Sequence, residues 1–289
     1  MADLTLERAA GTGERMQCME VWGGNCEVFK SFEMPGLEAV IFSRPHGAAK
    51  AGGDVYYLSS CASGRISRLL LADVSGHGAE VAELGRGLRD LMRKNVNVIR
   101  QKRFVEGMNR QFAHLAEQDA FATALVATYF QPARRLSLCN AGHPHPLFYD
   151  ASADRWSVIG EAESTGPGLA NLPLGLHDQT VYEQSEMILD AGDMILFYSD
   201  ALTESLTPTG DLLRTEGLLT MVDAWSSGEP SEILPQLLAT VQANHPQNAD
   251  QDDLTIMLCR ATGTATTFRD NLLAPLRLLR AVRDNTTWR

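Results

Sequence analysis

Four apolar segments of this sequence each have aspartate at one end. Asp54 follows AGG at the start of an apolar run, Asp73 ends LLLAD, Asp200 ends MILFYSD, and the pair Asp252 and Asp253 precedes LTIML. Burying a carboxylate costs several kcal/mol unless a cation or hydrogen-bond donors compensate it. Any one of these residues could form a turn or a cap, since aspartate favours both. Four such positions in one sequence indicate instead that carboxylates from separate strands converge, an arrangement that hard divalent cations require.

Other reactive residues fit their chemistry less well. His143 and His145 form an HxH pair, but prolines stiffen that loop and no third soft ligand for zinc is evident. We therefore interpret His143 as a loop residue near the site. Ser75 lies in DVSGHG, which is not a GxSxG nucleophile turn, and Ser75 and His77 are poorly placed as a catalytic pair. The sequence has no Walker A motif and no strand–GxGxxG–helix unit, so a nucleotide-binding loop is disfavoured.

Short strands and two pairs of helices must position the aspartates. Apolar or alternating runs predict strands at 38–44, 54–60, 66–74, 121–130, 135–142, 145–150, 193–200 and 254–261. Helical spacing of apolar residues predicts helices at 79–97, 104–118, 215–225 and 231–244. This order predicts an α+β domain in which two packed sheets are covered by helices.

The bulk composition is that of an ordinary globular protein. The chain has 289 residues, of which 44% are hydrophobic and 21% charged, and its net charge of −11 argues against nucleic acid as the main partner. No apolar run is long enough for a membrane span, and the N-terminus lacks the apolar core of a secretory signal. The five cysteines form no CxxC pair, so we expect no disulfide framework and a cytoplasmic location.

Seven sequence blocks occur in the order found in the bacterial PP2C-like serine phosphatases. The chain resembles in particular the SpoIIE/RsbU-type branch, which acts in sigma-factor partner-switching pathways. The resemblance covers residues 35–262 and rests on AGGD (51–54), ADVSGHG (72–78), FATA (121–124), NAGHPHP (140–146), LPLGL (172–176), YSDALTE (198–204) and DDLTIM (252–257).

The resemblance implies an αββα sandwich of two antiparallel β-sheets flanked by helices, with two Mn²⁺ or Mg²⁺ ions at one end. A metal-bridging hydroxide would attack phosphorus directly, so that Asp73 and Asp200 would be catalytic through the metals and no covalent nucleophile is needed. The implied metal ligands are Asp54, Asp73, the backbone carbonyl of Val74, Asp200 and Asp252, and Asp73 would bridge the two ions. Asp253 would lie next to these ligands without binding an ion itself. A site or substrate loop would contain Gly76, His77, Asn140 and His143.

The resemblance also suggests an organisation and a set of partners. Residues 1–34 form an N-terminal extension packed on the domain, 35–262 the phosphatase domain, and 263–289 a basic amphipathic helix, since six arginines face two aspartates from residue 260 onward. That helix could dock on its own domain, bind a partner or a second copy, or lie on a membrane surface. We expect a phosphorylated STAS-type protein as substrate, and a separate sensor or regulator acting on the helices of 79–118, or a homodimer.

Two departures from the family pattern leave other functions open. Val55, Tyr56 and Tyr57 follow GGD where a second aspartate is common, and Ala201 replaces the glycine of the usual SDG. These changes leave the aspartate set intact but put metal affinity and turnover in question. The runner-up function is a weakly active or inactive pseudophosphatase-like module that binds a signalling partner. A third is an adaptor whose basic tail docks an acidic partner.

Overall fold

The structure is a computed structural model that describes residues 13–16, 20–47, 49–61, 64–76, 78–96, 98–116, 120–160, 169–225, 228–249 and 252–264. The strands are β1 (Glu14–Arg15), β2 (Glu20–Gly24), β3 (Val28–Met34), β4 (Leu37–Arg44), β5 (Asp54–Cys61), β6 (Ile66–Val74), β7 (Ala122–Phe130), β8 (Arg135–Ala141), β9 (Leu147–Asp150), β10 (Arg155–Val158), β11 (Ser185–Ile188), β12 (Met194–Tyr198) and β13 (Leu254–Ala261). The helices are α1 (Ala79–Lys94), α2 (Gln101–Leu115), the short α3 (Asp200–Thr203), α4 (Arg214–Asp223) and α5 (Pro230–Asn244).

Two sheets form the centre of the molecule. One has seven strands in the order β1-β3-β4-β13-β12-β9-β10, and the other has six in the order β11-β8-β7-β6-β5-β2. All neighbouring strands are antiparallel except the two-residue β1, which runs parallel to β3. Their inner faces pack together through one apolar cluster that includes Leu58, Leu71, Phe197 and Met257.

The helices cover the outer faces. Helices α1 and α2 bury Leu88 and Phe104 against the six-stranded sheet. Helices α4 and α5 bury Leu218 and Leu237 against the seven-stranded sheet. The layers are therefore helix, sheet, sheet and helix, which confirms the predicted αββα sandwich.

Most predicted elements are found, but three differences affect the site and its surroundings. Residues 14–34, which the sequence assigned to an N-terminal extension, contribute β1, β2 and β3, so this part is integral to both sheets. Strands β10 and β11 were not predicted because their sequences, RWSV and SEMI, contain no run of three apolar residues, unlike LFYD of the equally short β9. Asp200 does not end a strand as predicted: β12 ends at Tyr198, and Asp200 begins α3.

Several expectations concern parts of the chain outside this description. The predicted C-terminal helix falls almost entirely on residues after 264, and His77 and Cys18 also lie outside the described residues. The four described cysteines are all free thiols. No helix among the described residues is long and apolar enough to cross a membrane.

Candidate metal centre

The predicted aspartates meet at one end of the sandwich. Asp54 and Asp73 are directly opposite each other in the β5–β6 ladder. Because side chains alternate along a strand, both belong to the inner face that also carries Leu58 and Leu71. Asp200 and Asp252 flank the paired strands β12 and β13 of the other sheet at the same end. A hydrogen bond of 2.6 Å from the Gly53 N–H to Asp253 Oδ2 joins the two sheets there.

Asp54 is the most deeply buried of these carboxylates. It is 3% exposed, and its Oδ2 atom has no hydrogen-bond partner among the described residues. Burial, and then the neighbouring Asp73, raise the pKa of Asp54 well above its ordinary value. The hydroxyls of Ser199 and Thr255 favour the ionised form and offset only part of this effect. A buried carboxylate oxygen without a hydrogen-bond partner is costly, so binding a proton or a cation would stabilise it.

Asp73 lies at the centre of the acidic group. Burial, followed by Asp200, Asp252 and other carboxylates, raises the pKa of Asp73 to about 7. Burial and Asp252 likewise raise the pKa of Asp200. Burial and then Asp200 and Asp252 raise the pKa of Glu204, which follows Asp200 by one helical turn. The group repels itself when ionised, and a divalent cation would relieve that repulsion.

The chemistry of these donors fits a hard divalent cation. The donors are carboxylate oxygens and the backbone carbonyl oxygen of Val74. This carbonyl lies close to Gly53, since a Cβ added at Gly53 would be 2.9 Å from the Val74 oxygen. No three His, Cys, Asp or Glu side chains within the described ranges are close enough together to hold an ion as they stand. An ion held by these carboxylates would therefore need them to lie closer together than they do in this structure.

Asp253 holds the loop before β5 in place. Its Oδ1 accepts a 2.6 Å bond from the His46 N–H and its Oδ2 accepts the bond from Gly53. Gly52 lies against this carboxylate, since a Cβ at Gly52 would be 2.3 Å from Oδ2. With both oxygens accepting backbone N–H bonds, Asp253 supports the loop that presents Asp54.

Asn25, which the sequence analysis did not single out, connects this loop to helix α1. Its buried side-chain amide donates to the Gly52 carbonyl at 2.9 Å and to the Ala82 carbonyl at 2.8 Å. The Gly52 N–H donates in turn to the Asn25 carbonyl at 2.9 Å. The position of α1 and the start of β5 are therefore fixed by the same residue.

The chain leaves the site through two glycines and enters α1. Gly76 and Gly78 have φ angles of 105° and 95°, which only glycine adopts readily. Gly78 is the residue immediately before α1, so one of these two conformations lies at the start of this helix. Ala201 is the second residue of α3 and is not among the described residues with positive φ, so its methyl group causes no backbone strain.

His143 connects the two sheets beneath the acidic group. It is 5% exposed, its Nδ1 lies 2.7 Å from Thr123 Oγ1, and its Nε2 lies 3.1 Å from the Tyr198 carbonyl oxygen. Because a carbonyl can only accept, Nε2 must carry the proton and Nδ1 must accept from the threonine. Thr123 is opposite Asp73 in the β6–β7 ladder, and Tyr198 precedes Asp200 by two residues.

This geometry changes the predicted role of the His143 loop. Burial lowers the pKa of His143 to about 3, so the ring is neutral at physiological pH. The Asn140 amide accepts from the His143 N–H at 2.8 Å and donates to its carbonyl at 2.9 Å. Both predicted loop residues are thus used in holding the structure together, and neither ring nitrogen of His143 is available to a substrate or to zinc.

We expect His143→Ala to destabilise the protein by about 2–4 kcal/mol, because it opens a cavity and leaves buried polar groups without partners. Urea denaturation measures the change. His114→Ala is the matched control, since His114 is exposed near the end of α2. Equal stability of the two variants would contradict the proposed connection between the sheets.

An open groove lies beside the acidic group. Its volume is about 560 Å³, and its walls include the glycine loop before β5, the glycine exit to α1, Asp252 and Asp253. Two cationic side chains also line it, Lys50 before the glycine loop and Arg86 on α1. The groove therefore places positive charge next to the carboxylates, as an anionic substrate would require.

Several residues of this region were not found from the sequence. Glu204 could have been found from its spacing of four residues from Asp200, which places both on one face of a helical turn. No local sequence pattern marks Lys50, Arg86 or Asn25, because only tertiary packing brings these residues together.

The chain is similar to known proteins in sequence. A family model described as Stage II sporulation protein E (SpoIIE) matches residues 63–262. The phosphoserine phosphatase RsbU of Bacillus subtilis (strain 168) is 26% identical over 170 residues, which are 58% of this chain and 48% of RsbU. The chain thus spans about half the length of this curated relative.

Solved structures share the fold. The crystal structure of the RsbU and RsbW domains of a Mycobacterium tuberculosis protein matches with a TM-score of 0.64 and 24% identity, covering 86% of this chain and 69% of that one. The PP2C phosphatase domain of SpoIIE from Bacillus subtilis, solved with a fragment of its regulatory domain, matches with a TM-score of 0.62 and 18% identity, covering 85% and 64%.

Proposed function

The chain belongs to the SpoIIE family, and on that premise we propose that it is a metal-dependent protein serine/threonine phosphatase. The observation that carries the proposal is the self-repelling acidic group. In it, Asp54 Oδ2 has no hydrogen-bond partner within the described part of the chain, and the pKa of Asp73 is about 7. Its substrate is a phosphoserine or phosphothreonine of a signalling protein. The resemblance to the partner-switching phosphatases favours a STAS-type anti-anti-sigma protein.

The proposed ligands follow the resemblance. Asp54, Asp73, Asp200 and Asp252 would hold Mn²⁺ or Mg²⁺ together with the Val74 carbonyl. When bound, the ions supply a water molecule of lowered pKa and neutralise charge that develops on the phosphate oxygens. Asp253 keeps the glycine loop in position through its two backbone hydrogen bonds.

Charge also determines how a substrate approaches. A phosphate dianion would be repelled by the carboxylates alone, so it requires positive charge along its path. Lys50 and Arg86 provide that charge in the groove beside the carboxylates. We assign to them the binding and orientation of the phosphorylated segment.

The proposed function is tested by phosphate release from a phosphorylated STAS protein and from p-nitrophenyl phosphate, with Mn²⁺, Mg²⁺ or EDTA. Hydrolysis that depends on a divalent cation supports the proposal. Release that is unaffected by EDTA, or that is absent for every phosphoprotein and for p-nitrophenyl phosphate, would contradict it.

Arg86→Ala should raise KM for the phosphoprotein about fivefold, which is about 1 kcal/mol, as expected for a partly solvated charge contact. The value of kcat should change little, since the guanidinium binds but does not react. Arg110→Ala is the control because it removes the same charge from an exposed position on α2 that does not line the groove. An unchanged KM in the Arg86 variant would remove Arg86 from the substrate path.

A second candidate is a partner-binding module with little or no activity. It is favoured by the spacing of the described carboxylates, no three of which are close enough together to hold an ion as they stand, and by Tyr57 in place of a second aspartate. Titration calorimetry with Mn²⁺ separates the two functions, because this candidate predicts no binding at millimolar concentration.

The proposed regulation follows from the position of α1 and α2. A separate sensor, or a second copy of the chain, would act on these two helices, and Asn25 would carry their displacement to the Gly52 loop. The phosphatase domain is proposed to comprise residues 35–262 together with the strands of 14–34 that complete its sheets.

A further inference from the structure

Three buried hydroxyl groups of the seven-stranded sheet lie at the end of the sandwich that carries the acidic group. Ser43 of β4 is opposite Thr255 of β13, and Ser199 directly follows β12. All three residues are at most 2% exposed. Each is two residues from a member of the apolar cluster between the sheets, namely Ile41, Met257 and Phe197. Because side chains alternate along a strand, the three hydroxyls belong to the inner face, as Asp54 does on the other sheet.

Hydrogen bonds join these three residues into one unit. Ser43 Oγ and Thr255 Oγ1 are 2.8 Å apart. Ser199 Oγ accepts a bond of 3.0 Å from the Thr255 N–H, and the Ser199 N–H donates to the Thr255 carbonyl oxygen at 2.9 Å. The Ser199 hydroxyl also lies 3.5 Å from the Asp253 carbonyl oxygen, which is longer than the usual O–H···O distance of about 2.5–3.0 Å. The proton of this hydroxyl is therefore not committed to a strong bond within the seven-stranded sheet.

The hydroxyls of Ser199 and Thr255 both interact with the Asp54 carboxylate, and both favour its ionised form. An ionised carboxylate has no proton to give, so each hydroxyl must donate its only proton to Asp54. Thr255 Oγ1 must then accept the proton of Ser43, which fixes the direction of the 2.8 Å bond between these two side chains. The result is a chain of donors that begins at Ser43 and ends at Asp54.

We propose that Ser199 and Thr255 are positioning residues of the metal centre, because their hydroxyls orient the Asp54 carboxylate of one sheet relative to the ligand-bearing segments of the other. Ser199 directly precedes Asp200, and Thr255 follows Asp252 by three residues. A buried hydroxyl costs free energy unless it is hydrogen-bonded, so packing alone would favour apolar residues at these two positions. The assignment rests on the proposed function, since Asp54 needs a defined orientation only if it binds an ion.

The test measures Mn²⁺ affinity by titration calorimetry, with the full-length protein and two variants of Thr255. Thr255→Val keeps the shape of the side chain but removes the hydroxyl, so it should weaken Mn²⁺ binding about tenfold, the lower end of the range for residues that support metal ligands. Thr255→Ser keeps the hydroxyl, so its affinity should stay close to that of the wild type. Equal affinities of the valine and serine variants would overturn the proposal, because the hydroxyl would then have no part in ion binding.

A second pair of variants keeps the test independent of the folding of Thr255→Val. Ser199→Ala should also weaken Mn²⁺ binding about tenfold. Ser67→Ala is the matched control, because Ser67 is also a buried serine of an inner face but precedes Asp73 by six residues, which is about 20 Å along β6. It should bind Mn²⁺ as the wild type does, and equal affinities of the two serine variants would overturn the proposal. A wild type that binds no Mn²⁺ would instead contradict the proposed function, and this assignment with it.

Discussion

Replacing Asp73 with asparagine should reduce kcat/KM for metal-dependent phosphate release by about 10³-fold or more, which corresponds to about 4 kcal/mol of transition-state stabilisation. Asp73 is opposite Asp54 and interacts with the carboxylates of Asp200 and Asp252. The amide of asparagine is nearly the same size but has no charge, so the fold should persist while the proposed bridging ligand is lost. Initial rates with saturating Mn²⁺, on the phosphoprotein and on p-nitrophenyl phosphate, measure the effect.

Asp73→Asn should increase the stability of the metal-free protein, although it reduces activity. The pKa of Asp73 rises from 3.8 to about 7 on folding, so the folded state holds a proton that the unfolded state releases. The free energy of unfolding of the wild type should therefore fall as pH rises through this interval. Asp73→Asn lacks this penalty, so at neutral pH in EDTA its Tm should exceed that of the wild type, and near pH 4 the difference should be small.

Asp178→Asn is the control for both measurements, since it also removes one negative charge but from an exposed loop position. It should leave activity and the pH dependence of Tm as in the wild type. Full activity in Asp73→Asn would exclude Asp73 as a metal ligand. A metal-free Asp73→Asn protein that is less stable than the wild type at neutral pH would mean that the carboxylate is held by favourable contacts instead of repelled.

Gly52→Ala is expected to have the second largest effect, a loss of about 10- to 100-fold in Mn²⁺ affinity or activity, the usual range for residues that support metal ligands. The new Cβ would be 2.3 Å from Asp253 Oδ2, so the carboxylate must move and release the N–H groups of His46 and Gly53. The loop that presents Asp54 then loses its support. Calorimetry with Mn²⁺ and steady-state kinetics measure the loss.

Two further variants isolate the cause. Gly160→Ala is the matched control, because no atom of the residues that the structure describes lies within 4 Å of a Cβ at that position. If the clash is responsible, adding Gly52→Ala to an Asp253→Ala background should cost little more than Asp253→Ala alone. A full additional loss in that background would locate the effect in the backbone of Gly52 instead of in its contact with Asp253.

The sequence predicts the fold well because its elements have strong local periodicity. Strands β6 and β13 begin and end where the apolar runs do, and α1 begins at Ala79 as predicted. The strands of 14–34 were not predicted because EVWGG contains two glycines and VFKSFEM lacks a regular alternation of apolar and polar residues. Their strand conformation depends on pairing with β5 and β4, which no local pattern shows.

The site could be predicted only in part, and for a physical reason. Asp54 and Asp73 were identified because a carboxylate at the end of an apolar strand is unusual in the sequence itself. His143 was identified as a residue of interest, but its role required the positions of Thr123 and Tyr198, which come from different sheets. The contacts of Asn25 had no signal at all, because tertiary packing brings Gly52 and Ala82 to its side chain.

The strands β2 and β3 have a practical consequence for work on fragments of this protein. A fragment cut at residue 35, where the family resemblance begins, would remove the neighbours of β4 and β5 in both sheets at once. Two long strands would then present unpaired N–H and C=O groups to solvent, and such edges pair readily with other chains. Recombinant fragments that begin at residue 35 should therefore aggregate, whereas those that retain residues 13–34 should remain dispersed.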